Sequence, residues 1–388
     1  MLIIISLLVT TSIFSHTNNE NQVIVGAQRS AEYLPLLEGK KVAIYSNHTG
    51  IVGEEHLLDL LIREKVNVTA IFSPEHGFRG SADAGELVKS SKDPKTGTPI
   101  LSLYDGKDKK PSKKSMEEFD ILIVDIQDVG LRFYTYYITM VRLMDACADY
   151  NKTMLILDRP NPNGHYVDGP ILDMKHKSGV GYLPIPVVHG MTLAELAQMV
   201  NGEGWLPNKK KCTLEIVTCK NYTHKTLYQV PIAPSPNLPN MRSIYLYPAI
   251  CLFEGTPISL GRGTNKPFQV YGHPDMSSKY SFTFTPKSVP GAKNPPLLNK
   301  VCYGVDLTTI KEDNLPYIKL DLAYIIDAYH TMNIGKDFFT PFFVKLIGVD
   351  YVQEMIIANK SACEIQAIWK PDVEKFQKQR KPYLLYEE

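Results

Sequence analysis

An excess of charge is the first thing this sequence lacks. Its 42 lysines and arginines stand against 41 aspartates and glutamates, a net charge of +1 in 388 residues. That balance gives no electrostatic reason to expect nucleic acid or an acidic membrane surface as partner. The local clusters KDKKPSKK and NKKKC read as solvated loops. Cysteine is scarce as well. Six residues with no CxxC spacing exclude a disulfide scaffold and make a zinc knuckle an unsuitable reading, so most are expected to be small buried hydrophobes. No apolar run is long enough to span a bilayer comfortably. The run MLIIISLLVTTSIFS at the amino end has the character of a secretory h-region, although it lacks a preceding basic residue. Residues 1–22 are therefore expected to be a leader, and the protein secreted or periplasmic without stable membrane insertion.

Several chemistries lack their signatures. There is no GxSxG elbow and no SxxK, so serine acyl transfer loses its usual geometry. There is no HExxH, and the lysine near residues 261–266 follows GRGTN rather than forming GK[ST], so a phosphate-binding loop fails. The first strand turn has no GxGxxG, which leaves dinucleotide binding unsupported. No cofactor is expected.

What the chain has is alternation. Apolar runs at 40–47, 67–73, 119–128 and 152–160, with a shorter one at 185–190 and another at 212–219, read as strands. Between them, 54–65, 135–150 and 191–204 read as helices; the last opens on Thr192 with Glu195 three residues on, a capping box. FDILIVD is almost continuously aliphatic, as suits a strand covered on both faces. The fold class expected is α/β, a Rossmann-like doubly wound parallel sheet over 23–230. The proline-rich VPIAPSPNLPN near 230 reads as a linker or rigid loop. A smaller α+β domain over 231–388 then completes a cleft.

Ligands of open parallel sheets bind beyond the carboxyl ends of the strands, and there the polar residues gather. Asn47 and His48 follow the first strand. Glu75, His76 and Arg79 follow the second in FSPEHGFRG. Asp125, Gln127 and Asp128 end the third, with Arg132 and Tyr134 close behind. Asp158, Arg159 and Asn161 end the fourth, and His189 the fifth. Taken singly each has a plain structural alternative; Asp128 with Arg132, or Asp158 with Arg159, would make ordinary ion pairs. A second cluster, LFEGTPISLGRGTNKPF, supplies Glu254, Arg262 and Thr264. His48, His76 and His189 with Asp125 form a conceivable metal set. Otherwise carboxylate chemistry remains. Glycoside hydrolysis needs an acid for the leaving oxygen and a second carboxylate or the substrate's acetamido group. Glu75, between Phe72 and Phe78 in sequence, is suited to a pKa raised by partial desolvation, which His76 or Arg79 would oppose. Tyr104, Tyr134, Tyr136 and Tyr137 offer flat surfaces for sugar rings, and Arg79, Arg132, Arg159 and Arg262 suit a substrate carboxylate.

Together YSNHTGI, FSPEHGFRG, DIQDVGLRFYTY, LDRPNPNG, VDGPIL, IPVVHGMTLAELA, PSPNLP and LFEGTPISLGRGT, in this order from about Gly39 onward, resemble the exo-acting β-N-acetylmuramidase family. The resemblance implies a Rossmann-like domain and a smaller one with the site between them. It implies removal of terminal N-acetylmuramic acid from the non-reducing end of peptidoglycan-derived glycans, and cell-wall recycling as the setting. It points to Glu75 as the catalytic acid. Asp125, Asp128 and Glu254 are then candidates for the second group, and Asn47, His48, His76, Arg79, Gln127, Arg132, Tyr134, Arg159, Asn161, His189, Asn237, Arg262 and Thr264 for substrate contacts. A metal-dependent hydrolase, or a non-catalytic binder of peptidoglycan sugars, would be the alternatives.

Overall fold

The computed structural model describes residues 22–74, 78, 91–101, 103 and 110–388. A seven-stranded sheet forms the centre. In chain order its strands are β1 (Lys41–Ser46), then, after the small hairpin β2 (Ile51–Val52) and β3 (Glu55–His56), β4 (Asn67–Phe72), β5 (Ser91–Lys92), β6 (Pro99–Leu101), β7 (Ile121–Asp125), β8 (Thr153–Leu157) and β9 (Thr213–Val217). They lie side by side as β5-β6-β4-β1-β7-β8-β9, and all pair in parallel except β5 with β6. The expected doubly wound architecture is present.

Strand periodicity explains how both faces are covered. Val42, Ile44, Ile121, Ile123, Leu155 and Leu157 point to one side, where they meet Leu57, Leu58, Leu60 and Leu61 of the helix Leu57–Arg63. Ala43, Tyr45, Leu122, Val124, Met154 and Ile156 point to the other, towards the helices Tyr136–Asp149 and Leu193–Gly202. Successive strand residues face opposite ways, so an unbroken aliphatic run is what a sheet with two buried faces requires. Each fully buried aliphatic side chain contributes roughly 1.5–3 kcal/mol relative to exposure.

Thr192 caps the helix Leu193–Gly202 as expected: its hydroxyl accepts from the Glu195 amide at 3.3 Å, and the Glu195 carboxylate accepts from the Thr192 amide at 2.8 Å. The run at 185–190 differs from expectation. It forms no strand; Val188 makes only isolated bridges to Leu131 and Asp168. β5 and β6 were not foreseen, because two or three residues are too few to show a period.

The second half adds a three-stranded antiparallel sheet, β10 (Val270–His273), β11 (Phe282–Phe284) and β12 (Cys302–Asp306), with β12 in the middle. The same half holds the helices Met241–Ile250, Ala323–Met332, Pro341–Ile347 and Ala362–Arg380. Phe253, Phe343 and Trp369 from this half belong to the same apolar cluster as Tyr45 and Val124 of the central sheet. No helix among the described residues is long and apolar enough to cross a membrane. Of the six cysteines only Cys363 is exposed.

Candidate active site

Strand order reverses at β1: the chain steps outward through β4 and β6, then returns to place β7 on β1's other side. The crevice beyond such a reversal is where open α/β sheets take ligands. Asn47, the residue after β1, is fully buried there. Its Oδ1 accepts from the Thr49 amide at 3.0 Å and hydroxyl at 2.6 Å, and its Nδ2 donates to the Tyr136 hydroxyl at 3.1 Å. The Gln127 amide, just past β7, donates to the Thr49 hydroxyl at 3.0 Å. Two strand ends are thereby locked together by side chains.

This network extends to the proline-rich segment, which is a rigid loop rather than a free linker. Tyr134 and Tyr136 both donate their hydroxyls to the Pro234 carbonyl, at 2.9 and 3.0 Å. His48 Nε2 lies 2.8 Å from the Ala233 carbonyl. Within the loop the Leu238 amide returns to the Ser235 carbonyl at 2.9 Å. Asn237 reaches outward, donating Nδ2 to the Gly291 carbonyl at 3.1 Å.

Tyr134, Asn237 and Arg262 line one small pocket of about 80 Å³. Arg262 also lines a neighbouring cleft of about 450 Å³ with Glu254. There the two side chains form an ion pair at 2.7 Å, and the guanidinium lies 4.9 Å from the centre of the Phe268 ring. Thr264 shapes the turn beneath them, donating to the Gly261 carbonyl at 2.7 Å. These residues are brought together.

The other candidates are engaged elsewhere. Arg159 forms a two-bond pair with Asp125, Nε to Oδ1 at 2.6 Å and Nη2 to Oδ2 at 3.1 Å, with Asp125 wholly buried. Neither Asp158 nor Asp128 takes the neighbouring arginine that adjacency in sequence offers. Asp158 accepts from the Tyr386 hydroxyl at 2.7 Å and the Ala194 amide at 3.2 Å, and burial pushes its pKa up to about 7. Arg132 is buried among carbonyls: Pro170 at 2.7 Å, Ile185 at 2.8 Å, Leu346 at 3.0 Å and Ile347 at 2.7 Å. Loss of solvent lowers it to about 10. With both Nη groups so occupied, Arg132 joins segments of the chain rather than presenting itself to a ligand.

Asp128 is 7% exposed. Its Oδ1 accepts from the Gly130 amide at 2.7 Å, while its Oδ2 makes no hydrogen bond of ordinary geometry. Burial raises its pKa to about 7 against the opposing pull of the Gly130, Val129 and Tyr137 amides. Gln127 spends its Nε2 on the Asp128 and Pro160 carbonyls, both at 2.8 Å. Asn161 holds the Met191 carbonyl at 2.9 Å and the Asn163 amide at 2.8 Å. Gly130, at φ +75°, packs against that same Asn161; a Cβ there would sit 2.1 Å from its Nδ2. His189 takes the Met191 amide on Nδ1 at 3.2 Å, and burial, with the Arg380 and Arg132 charges, lowers it to about 3.

Glu75, His76, Arg79 and Tyr104 lie outside the described residues, as does the expected leader except for residue 22. Their described neighbours are anchored: Ser73 and Pro74 are buried, and Phe78 packs edge-on against His56 at 4.8 Å. Among the described residues no group of three His, Cys, Asp or Glu side chains converges to hold a metal. His48 and His189 are engaged with separate parts of the chain, so the described members of the histidine set are not brought together.

Sequence models of one family account for nearly the whole chain: the exo-β-N-acetylmuramidase NamZ amino-terminal model matches residues 42–242 and the carboxy-terminal model residues 245–386. The chain belongs to the NamZ family. A Bacillus subtilis relative, peptidoglycan β-N-acetylmuramidase NamZ, is 37% identical over 373 residues, spanning 92% of this chain and 89% of that protein. Two crystal structures of DUF1343-family proteins from Bacteroides fragilis share the fold of this chain. One is 63% identical with a TM-score of 0.89, covering 95% of this chain and 99% of its own. The other is 27% identical with a TM-score of 0.77, covering 94% and 99%.

Thr49, Ala233 and Pro234, which join the network at this sheet edge, carry no signal in the sequence that singles them out. Two of the three contribute through backbone carbonyls, which any residue type possesses. Tyr136 stood out only as a flat ring, yet its hydroxyl links Asn47 to Pro234.

Proposed function

We propose that this protein is a glycoside hydrolase, an exo-β-N-acetylmuramidase that releases terminal N-acetylmuramic acid from the non-reducing end of peptidoglycan fragments. The observation that carries this reading is the near end-to-end match to both family models, together with a relative named as a peptidoglycan β-N-acetylmuramidase. The fixed network at the strand reversal supports it, since sugar chemistry benefits from groups held in place before the substrate arrives.

In the sequence Glu75 follows Pro74, three positions beyond the last residue of β4, and the family resemblance makes it the general acid for the leaving oxygen. Among the described carboxylates, Asp125 is sealed in its pair with Arg159 and Asp128 is buried, whereas Glu254 lines an open cleft. We assign Glu254 the second role, facing the positive charge that develops at the sugar ring. Arg262 beside it then receives the lactyl carboxylate that distinguishes muramic acid from glucosamine. The apolar amino-terminal run supports export, which the amino-terminal sequence of protein recovered from its host would test.

The test compares a chromogenic β-N-acetylmuramide with the corresponding glucosaminide, each with and without EDTA. Turnover of the muramide alone, indifferent to EDTA, is the expected result. Glu75→Gln should lower kcat by about 10²–10⁴-fold with an unchanged melting temperature, and near wild-type kcat in that variant would remove Glu75 as the acid. Glu254→Gln should lower kcat at least about tenfold; wild-type kcat would shift the second role to the substrate's own acetamido group.

A further inference from the structure

A second cavity lies on the same edge of the sheet and shares no lining residue with the Glu254–Arg262 cleft. It measures about 580 Å³, and Arg159, Thr49, Ile51, Tyr228, Leu227 and Ile232 are among the residues around it. The loop after Pro231 separates the two: Pro231 and Ile232 face this cavity, while Ser235 and Asn237 face the pocket beside Arg262.

Arg159 gives the cavity its chemistry. Its side chain is only 4% exposed. Asp125 takes Nε and Nη2, and the Ile51 carbonyl takes Nη2 again at 3.1 Å. That side-on pairing fixes the plane of the guanidinium and leaves Nη1 with no hydrogen bond to any described residue. A guanidinium held by a carboxylate behind it is pre-oriented, so a further acceptor in front meets donors already aimed. Tyr228 lies close enough for the Arg159 charge to act on its hydroxyl, against the burial that raises it. That hydroxyl makes no hydrogen bond to a described residue. Among the described residues no aspartate or glutamate lines the cavity; the other described walls are aliphatic or carry neutral amide and hydroxyl groups.

We propose that this cavity is a carboxylate-binding site for a short peptide, with Arg159 Nη1 and the Tyr228 hydroxyl on the carboxylate and Ile51, Leu227 and Ile232 against its aliphatic part. With Asp125 already neutralising Arg159 from behind, what the cavity offers a carboxylate is two hydrogen-bond donors, Arg159 Nη1 and the Tyr228 hydroxyl, and the mixed walls select a small amphiphile over a bare inorganic anion. The proposal does not depend on the glycosidase reading, because it concerns a different cavity and a ligand without a sugar.

The test is calorimetric titration of the full chain with L-alanyl-D-glutamate, alongside the same dipeptide with both carboxyls amidated. Saturable binding in the millimolar range or tighter is expected, weakened at least tenfold by amidation. Leu227→Trp, at a position already 40% exposed, should fill the cavity and abolish binding without lowering the melting temperature, and Tyr228→Phe should weaken binding severalfold. Arg262→Ala, in the other cleft, should leave binding intact. Absence of binding up to 20 mM, equal affinity for the amidated peptide, or binding that survives Leu227→Trp would each overturn the proposal. Loss of binding in Arg262→Ala would do so too, by moving the ligand to the other cleft.

Discussion

Replacing Asp128 by asparagine should make the protein more stable at alkaline pH and less stable at acid pH. Burial holds the Asp128 carboxyl at about 7 in the folded protein, against an aspartate's ordinary 3.8. Below about pH 4 the carboxyl is protonated whether the chain is folded or not, and it adds no pH dependence. Between about pH 4 and 7 the unfolded chain releases the proton while the folded protein retains it, so unfolding is increasingly favoured. Above about pH 7 both states are ionised and the penalty is constant. A separation of about three pH units corresponds to roughly 4 kcal/mol. Asparagine is neutral throughout and removes that penalty. It also places an amide NH₂ where either Oδ1 now accepts from Gly130 or Oδ2 has no hydrogen bond; orienting the NH₂ to the Oδ2 side keeps the Gly130 bond but leaves buried donors unmet, which costs roughly 1–3 kcal/mol. The variant should therefore be about 1–3 kcal/mol more stable than wild type at pH 8 and about 0.5–2.5 kcal/mol less stable at pH 4, with the curves crossing between about pH 4.5 and 6. Urea denaturation at four pH values from 4 to 8 measures the difference directly. Asp158, also held at about 7, leaves its own slope in both proteins and cancels in that comparison. A stability difference that stays constant across the range would refute the account of Asp128 as a desolvated acid.

Arg132→Met should destabilise by about 4 kcal/mol, since four carbonyls lose a charged donor while only part of the desolvation cost is recovered; a change below about 1 kcal/mol in urea denaturation would contradict the joining role. Gly130→Ala should cost about 2–4 kcal/mol, from the left-handed backbone and the Asn161 side chain it would strike, read as a lowered melting temperature; a neutral outcome would mean the 130 and 161 loops are free to part. Tyr136→Phe should lower stability by about 1–2 kcal/mol and kcat/KM on the muramide by about tenfold, because Asn47 loses its link to the Pro234 carbonyl; an unchanged kcat/KM would show that the loop is positioned without it.

Five of the seven strands of the central sheet were readable because aliphatic runs such as 121–125 have few other uses at that length, and the helix after Thr192 because its capping box is a local arrangement of two side chains. The apolar run 185–190 misled for the same reason: such a run marks burial, not conformation, and here it is buried as a loop crossing between Leu131 and Asp168. At the candidate site the sequence indicated which edge the polar groups occupy but not where each one points. Arg159 follows Asp158 in the chain yet pairs with Asp125 on the adjacent strand, a choice made by the order β1-β7-β8 rather than by proximity in sequence. Arg132 was open to reading as a partner of Asp128 or of a substrate carboxylate. Its actual partners are main-chain carbonyls, and a carbonyl leaves no mark in the amino-acid alphabet.

That last property has a consequence for how such a chain can change over generations. The guanidinium of Arg132 ties the loops at 170 and 185 to the end of the helix Pro341–Ile347 without consulting any side chain on the far side. Substitutions at 346 and 347 that preserve packing leave the tie unaltered, so the two halves are free to diverge in sequence independently. A single-residue insertion or deletion there would instead move both carbonyls out of register together. The joint is tolerant of spelling and intolerant of length.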